Sequence, residues 1–224
     1  MSAPRCTFSR KHYSDALKLF MAHGYAVMTF AEYAKAGKTD SRVLVNRHDV
    51  DINMAPVMRF AELEDKLGVS STLFVRSGAK GYSLADRSVV SDVRSLAAAG
   101  HEIGLHYECG GLEDGPSALR SVKDQLNRLE DALGFKVRGA VQHRVATVGA
   151  KVTLDALRGI GIEYDAFEPR FAQQIKYISD SRRRWREGCM CRWVGKADRM
   201  QVLTHPIWRQ PGTRKALDEI LALL

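Results

Sequence analysis

Three titratable residues lie within four positions at the end of an apolar segment, VLVNRHDVD, at residues 43–51. The aliphatic and β-branched start of this segment predicts a buried strand that ends in His48, Asp49 and Asp51. Side chains alternate along a strand, so Asp49 and Asp51 share one face and His48 lies on the other. Two carboxylates at the edge of a core need a partner, because an unpaired buried ion is costly. The pattern favours a metal ligand beside a general base; the alternative is two solvated loop carboxylates, one of them capping the next helix.

Short apolar segments alternate with amphipathic helical patterns along the chain, which predicts a parallel α/β sheet or barrel. We expect strands at residues 25–30, 43–46, 71–75, 102–106, 137–143, 162–164, 175–179 and 201–204. We expect helices from a Ser9 cap to residue 21, and at residues 31–36, 56–67, 89–99, 117–133, 152–157 and 213–223.

Histidine and acidic side chains recur where these strands end. The ends read RHDVD, FVRSG, GLHYE, VQHR, YISD and LTHP. In parallel α/β folds the carboxyl ends of the strands form the edge that carries the active site. If the faces that the alternation assigns point inwards, five side chains converge on one pocket: Asp49, Asp51, His106, His143 and His205.

These residue types suit a hydrolytic metal site. Mixed histidine and aspartate ligands with an open position fit zinc and other first-row metals, which polarise a carbonyl and acidify a bound water. Asp49 is then free to take the proton of the water, and His205 to give one to the leaving group. Any one of these histidines alone is more often structural, so the prediction rests on their common edge.

Composition and charge narrow the possible functions. The 224 residues are 45% hydrophobic and 27% charged, which is ordinary for a globular protein. We find neither an apolar run long enough for a membrane helix nor a secretory signal, so we expect a cytoplasmic location. The net charge of +8 is concentrated in RRRWR, from Arg182 to Arg186, which suits nucleic acid, a peripheral contact with an anionic membrane, or a phosphorylated substrate. A solvated basic loop is the simpler interpretation.

The four cysteines, Cys6, Cys109, Cys189 and Cys191, are scattered without paired zinc-finger spacing. In a cytosolic chain we expect them to be free thiols. The pair Cys189 and Cys191 gives only a weak indication of metal binding.

RHDVD, AGHEIGLHYE and LTHP, in this order and at these separations, resemble the polysaccharide deacetylases of carbohydrate esterase family 4. The resemblance covers residues 43–208. It implies a distorted (β/α) barrel of about seven parallel strands, in a single catalytic domain over residues 1–224 with residues 1–42 as a helix-and-strand extension packed on the barrel. It also implies removal of N- or O-acetyl groups from sugars with a divalent metal, for which we expect zinc.

The resemblance assigns roles to individual residues. Asp49 matches the catalytic base, Asp51 the metal-binding aspartate, and His106, after GHEIG, the first metal histidine. Leu203 matches the leucine that lines the acetyl-methyl pocket, two positions before the general acid His205. The segment YISDSRRRW resembles the one that orients the acid histidine and walls the pocket, through Asp180 and Trp185.

The sequence departs from the family pattern at the third metal ligand. The second metal histidine usually follows the first by four residues, and here that position is Gly110. The arginine-and-proline motif after the fourth barrel strand is replaced by QHR at residues 142–144. We hypothesise that His143 supplies the missing ligand, with Glu108 as the next candidate, and that Arg144 holds the base carboxylate. His48 is a further candidate, although the alternation places it on the outer side.

These residues lead to one main function and three alternatives. The main one is a metal-dependent hydrolase that removes the N-acetyl group of an amino sugar, free or nucleotide- or lipid-linked, in bacterial surface-polysaccharide (O-antigen type) synthesis. The alternatives are a non-catalytic carbohydrate-binding relative, a hydrolase of another C–N amide bond in a small molecule, and a nucleic-acid-binding protein. The last leaves the histidines and aspartates at the strand ends unexplained, so we expect no nucleic acid partner.

Overall fold

The apolar segments form one parallel sheet in the computed structural model, which describes residues 6–37, 41–109, 115–144 and 152–209. Each strand pairs with its neighbours in parallel, so all carboxyl ends lie at one edge. The strands are β1 (Ala26–Met28), β2 (Val43–Val50), β3 (Thr72–Val75), β4 (Glu102–Tyr107), β5 (Gly139–Gln142), β6 (Tyr164–Asp165), β7 (Lys176–Ser179) and β8 (Arg199–Thr204).

Seven strands follow the order β6-β5-β4-β3-β2-β8-β7, and β1 pairs with β2 off this path. The sheet curls into a half-barrel, which confirms the predicted distorted (β/α) barrel. Strand β2 is central: β8 runs along one side of it, while β1 and then β3 share the other. The strand whose end carries Asp49 and Asp51 is therefore buried on both sides.

Helices connect the strands. They are α1 (Arg10–Ala22), α2 (Phe30–Ala36), α3 (Met54–Asp65), α4 (Arg87–Ala98), α5 (Gly115–Leu133), α6 (Leu154–Arg158) and α7 (Pro169–Ala172). Most of them cover the outer face, while α2 and α7 send Phe30 and Phe171 into the curl. The predicted cap is confirmed for α1, where the Ser9 hydroxyl accepts from the backbone N–H of His12. None of the described helices combines the length and the hydropathy that a membrane span requires.

Aromatic side chains fill the inside of the curl below the strand ends. The ring of Phe30 lies 5.6 Å from that of Phe74 and 4.7 Å from that of Phe171, and it stacks on Tyr164 at 5.8 Å. Gly104 on β4 makes room for this cluster, because a Cβ there would lie 2.5 Å from the Phe74 ring. The cluster fills the curl below the carboxyl-terminal edge at which Asp49 and Asp51 lie.

Several predicted boundaries were wrong. Strand β2 continues to Val50 instead of ending at residue 46, because its charged residues are paired inside the fold. Phe30 begins α2 instead of ending β1, since Thr29 forms a capping box with Glu32. The short helix α7 was not predicted. The helix expected at residues 213–223 lies outside the described residues.

Candidate metal centre and active site

Asp51, His106 and His143 meet at the carboxyl ends of β2, β4 and β5. Asp51 Oδ1 lies 3.3 Å from His106 Nε2 and 3.7 Å from His143 Nε2. All three side chains are buried, and one ligand atom from each lies within 4.8 Å of the others. Strand β5 ends at Gln142, one residue before the prediction, yet the N–H of His143 still donates to Tyr107 O and keeps the histidine at the edge.

Both histidines are held by the ring nitrogen that faces away from Asp51. His106 Nδ1 lies 3.1 Å from the Val141 carbonyl oxygen, and His143 Nδ1 lies 2.8 Å from Glu108 Oε1. A proton on each Nδ1 leaves the Nε2 lone pairs facing Asp51, which is the arrangement of metal-binding histidines. Burial lowers the pKa of His143, which favours the neutral ring that a metal needs.

Arg76 and Glu108 extend this support. Arg76 Nη2 lies 2.7 Å from Glu108 Oε1. The hydrogen bond from His143, with the charge of Arg76, lowers the pKa of Glu108 to about 2 against the cost of burial. Glu108, the next candidate ligand from the sequence, thus contacts the nitrogen of His143 that faces away from Asp51. It lies outside the group of Asp51, His106 and His143.

The donor set fits a divalent metal. Asp51 Oδ1 is buried and has no hydrogen-bond donor among the described residues, although an unpaired buried carboxylate oxygen is costly. In a tetrahedral zinc site with bonds of about 2.0–2.1 Å, ligand atoms lie about 3.4 Å apart, close to the two distances from Asp51 Oδ1. Burial opposes the charge of Asp51, while protonated rings of His106, His205 and His143 lower its pKa; a bound metal would hold the carboxylate charged with the rings neutral. An Asp/His/His set leaves a fourth position open, as in catalytic zinc sites.

Asp49 lies beside this set and is held by Arg47. The guanidinium binds both carboxylate oxygens, with Nε 2.8 Å from Oδ1 and Nη2 2.9 Å from Oδ2. Burial disfavours the charge of Asp49, but Arg47, together with His106 and His205, lowers the pKa. Asp49 Oδ2 lies 3.5 Å from His106 Nε2, at the border of the metal site. Arg47 thus occupies the place expected for Arg144, which follows His143 as an exposed residue with φ 56°.

His205 closes the opposite side of the site. Its Nε2 lies 3.7 Å from Asp51 Oδ2, and its Nδ1 lies 2.7 Å from Asp180 Oδ1. Asp180 is fully buried and also accepts from Arg209 and from the backbone N–H of His205. Burial alone would lower the pKa of His205, but Asp180 raises it to about 9.

The remaining sequence candidates lie at different distances from this centre. Leu203 is buried on β8, two residues before His205. Trp185 is half-buried and stacks on Phe8 at 6.4 Å. His48 lies on the helix-facing side of β2, where its Nε2 contacts Glu64 at 2.8 Å, so it takes no part in the metal site. Arg47 and Arg76 were missed, although the alternation that joins Asp49 to Asp51 also places Arg47 on their face.

No protein-family model and no curated protein matches this chain. Several solved structures do match it. The chitin deacetylase of the fungal pathogen Colletotrichum lindemuthianum is 14% identical with a TM-score of 0.55, over 88% of this chain and 85% of that chain. A family 4 acetyl xylan esterase from Clostridium thermocellum, in complex with a cobalt ion, is 16% identical with a TM-score of 0.50, over 80% and 82%.

A third match is a pseudoenzyme of carbohydrate esterase family 4 from Bacillus anthracis. It is 14% identical with a TM-score of 0.51, over 88% of this chain and 62% of that chain. At such low sequence identity, these structural similarities establish the fold alone. The proteins that share it include both enzymes and a pseudoenzyme. The chain has the fold of the carbohydrate esterase family 4 deacetylases, as its sequence resemblance predicted.

Proposed function

We propose that this protein is a metal-dependent carbohydrate deacetylase that hydrolyses the N-acetyl group of an amino sugar. The observation that carries the proposal is the buried, unbonded Oδ1 of Asp51, faced by the Nε2 atoms of His106 and His143. A hydrolase needs a base and an acid beside such a centre, and Asp49 and His205 lie on its two sides. The fold shared with a chitin deacetylase and an acetyl xylan esterase supports the same reaction class.

The metal, for which we propose zinc, would be held by Asp51, His106 and His143, and when bound it polarises the acetyl carbonyl and acidifies a water. Asp49 accepts the proton of the attacking water while Arg47 fixes the orientation of the carboxylate. His205 donates a proton to the amine nitrogen that leaves, and the buried carboxylate of Asp180 on its Nδ1 raises the pKa of His205 and so favours the protonated ring. We assign Leu203 to the wall that contacts the acetyl methyl group.

We further propose that the sugar is nucleotide- or lipid-linked, in the synthesis of a bacterial surface polysaccharide of the O-antigen type. The support is the basic segment from Arg182 to Arg186, which starts two residues after Asp180 in the connection that leaves the site. Exposed guanidinium groups suit the phosphates of such a precursor.

The test is acetate release from N-acetylated chito-oligosaccharides and nucleotide-linked N-acetyl sugars by the zinc-loaded protein. We expect turnover by the wild type and a loss of at least about a hundredfold in Asp49→Asn, because general-base catalysis contributes roughly 10²–10⁴-fold. Asp155→Asn, at an exposed carboxylate on α6, is the matched control. Equal rates for Asp49→Asn and the wild type would rule out the base assignment.

A non-catalytic carbohydrate-binding relative is the second candidate. Two observations favour it: Gly110 stands where the family places its second metal histidine, and one structural neighbour is a pseudoenzyme. It predicts saccharide binding without acetate release, and a thermal stabilisation by added zinc that is the same in the wild type and in Asp51→Ala. Stabilisation by zinc that is smaller in Asp51→Ala would contradict it.

A further inference from the structure

A second cluster of metal-binding side chains lies away from the candidate active site. It consists of Cys6 before α1, His12 in the first turn of α1, and Cys189 and Cys191 on either side of Met190 in a 3-10 turn between β7 and β8. One ligand atom from each lies within 4.8 Å of the other three. Cys189 and Met190 pack in the apolar layer under α1, on the outer face of the sheet.

The distances within the cluster match tetrahedral zinc. Cys6 Sγ lies 3.5 Å from Cys191 Sγ, and His12 Nε2 lies 3.2 Å from Cys189 Sγ and 3.6 Å from Cys191 Sγ. Zinc bonds of about 2.3 Å to sulfur and 2.0–2.1 Å to nitrogen place tetrahedral ligands about 3.5–3.8 Å apart. A disulfide requires sulfurs about 2.05 Å apart, so the cluster contains none.

We propose that Cys6, His12, Cys189 and Cys191 form a structural zinc site of the Cys₃His type. Four protein ligands leave no open position, which separates this site from the three-ligand centre at Asp51. From the sequence we expected free thiols, because only Cys189 and Cys191 are close to each other along the chain. The other two ligands, Cys6 and His12, are distant in sequence: Cys6 is 185 residues from Cys191, and His12 is 177 residues from Cys189.

The site would fasten the N-terminal segment to a connection that has little regular structure. Between β7 and β8 the described elements are two three-residue 3-10 turns, Ser181–Arg183 and Met190–Arg192. This connection starts at Asp180, the residue that holds His205, and carries Trp185, which stacks on Phe8. A metal clip between the two segments closes a very long loop and stabilises the folded state by its binding free energy.

The experiment measures zinc that depends on thiols in the full-length protein. We expect two zinc ions per zinc-saturated chain, one of which p-hydroxymercuribenzoate releases to a chromogenic chelator. In the cobalt-loaded protein we expect a thiolate-to-cobalt charge-transfer band in the near ultraviolet. Both measurements use the wild type, so they stand even if a cysteine variant fails to fold. No mercurial-released zinc and no charge-transfer band would overturn the proposal.

Matched variants assign the ligands. Cys191→Ser should lose the mercurial-released zinc and weaken the charge-transfer band, whereas Cys109→Ser, at a buried cysteine outside the cluster, should keep both. Asp51→Ala should lose only the mercurial-resistant zinc, so failure of the proposed deacetylase site and failure of this site give different results. Equal losses in Cys191→Ser and Cys109→Ser would contradict the assignment.

Discussion

At the scale of single residues, three of the groups assigned to the reaction are each held by a second charged group. Asp49 is bound by Arg47, His143 by Glu108, and His205 by Asp180. Such pairs are expensive to bury and cost more when one partner is removed, because the other charge then remains uncompensated. The pairs fix ring and carboxylate orientation before substrate arrives, which is the condition for catalysis by preorganised groups.

The first prediction concerns His143, whose role as third ligand is untested. In His143→Ala the metal set falls to Asp51 and His106, and two ligands hold zinc poorly. We expect the mercurial-resistant zinc to fall from one equivalent per chain to nearly none after dialysis. Elemental analysis of the purified variant measures this directly.

Two further variants complete that measurement. His23→Ala removes an exposed histidine at the end of α1 and should leave the zinc content unchanged. Glu108→Gln keeps His143 but removes the negative charge that Glu108 places beside His143 Nδ1. The zinc affinity should therefore fall about 10–100-fold, while the zinc site itself is retained. Full retention of zinc in His143→Ala would exclude this residue as a ligand.

At the scale of elements, the carboxylate of Glu64 joins two helices to the sheet. It projects from α3, is fully buried, and contacts His48 at 2.8 Å, Asn46 at 2.6 Å and Ser71 at 2.8 Å. The Tyr13 hydroxyl on α1 also donates to it. Burial opposes the charge, but His48 and these donors lower the pKa of Glu64. This hydrogen-bonded group around Glu64, which we call the Glu64 node, lies on the outer side of β2, opposite the face that carries Asp49 and Asp51.

We predict that Glu64→Gln lowers the free energy of unfolding by roughly 3–5 kcal/mol at pH 7, the usual cost of breaking a buried ion pair. A depressed pKa means that this stability is present above the unfolded value of 4.5 and is lost as the pH falls through the folded value. The difference from the wild type should therefore shrink below about pH 4.5. Urea unfolding of both proteins across the acid range measures it.

Glu163→Gln serves as the control, because that carboxylate lies in an exposed pair with Arg138 and should change stability by less than about 1 kcal/mol. The difference in the free energy of unfolding between Glu64→Gln and the wild type could also stay constant from pH 7 to below about pH 4.5. That result would show that the charge of Glu64 does not stabilise the fold.

The sequence predicted what depends on alternation and missed what depends on long-range approach. Period-2 geometry separated His48 from Asp49 and Asp51, and the structure places them on opposite faces of β2. The same rule places Arg47 beside Asp49, because residues 47 and 49 share a face of the strand. No local pattern relates Cys6 to Cys191, because the fold of the entire sheet brings them together.

At the scale of the whole molecule, the two candidate metal sites lie on different faces of the same sheet. The Asp51 site opens at the strand ends inside the curl, while the Cys₃His cluster lies under α1 on the outer face. The connection from β7 to β8 touches both, since Asp180 begins it and Cys189 and Cys191 lie at its middle. The exposed arginines from Arg182 to Arg186 therefore lie between two contacts with the rest of the fold, one at Asp180 and one at Cys189 and Cys191.

The last prediction concerns these arginines. We expect the triple variant Arg182→Gln, Arg184→Gln, Arg186→Gln to raise the KM for a nucleotide-linked N-acetyl sugar about five- to tenfold at low salt, since three exposed charges no longer attract the phosphates. The kcat should not change, because these side chains take no part in the proton transfers. Steady-state acetate release at two ionic strengths measures both constants.

Two controls distinguish phosphate binding by the basic segment from an effect of the net charge of the protein: the choice of substrate and the dependence of the KM on salt. A neutral chito-oligosaccharide should show the same KM with the variant and the wild type, and high salt should narrow the difference for the nucleotide-linked sugar. Replacing Arg120, Lys123 and Arg128 on the exposed side of α5 by glutamine removes the same three charges elsewhere. If this control raises the KM as much as the triple variant, the effect comes from the overall field of the +8 protein and the basic segment is no phosphate site.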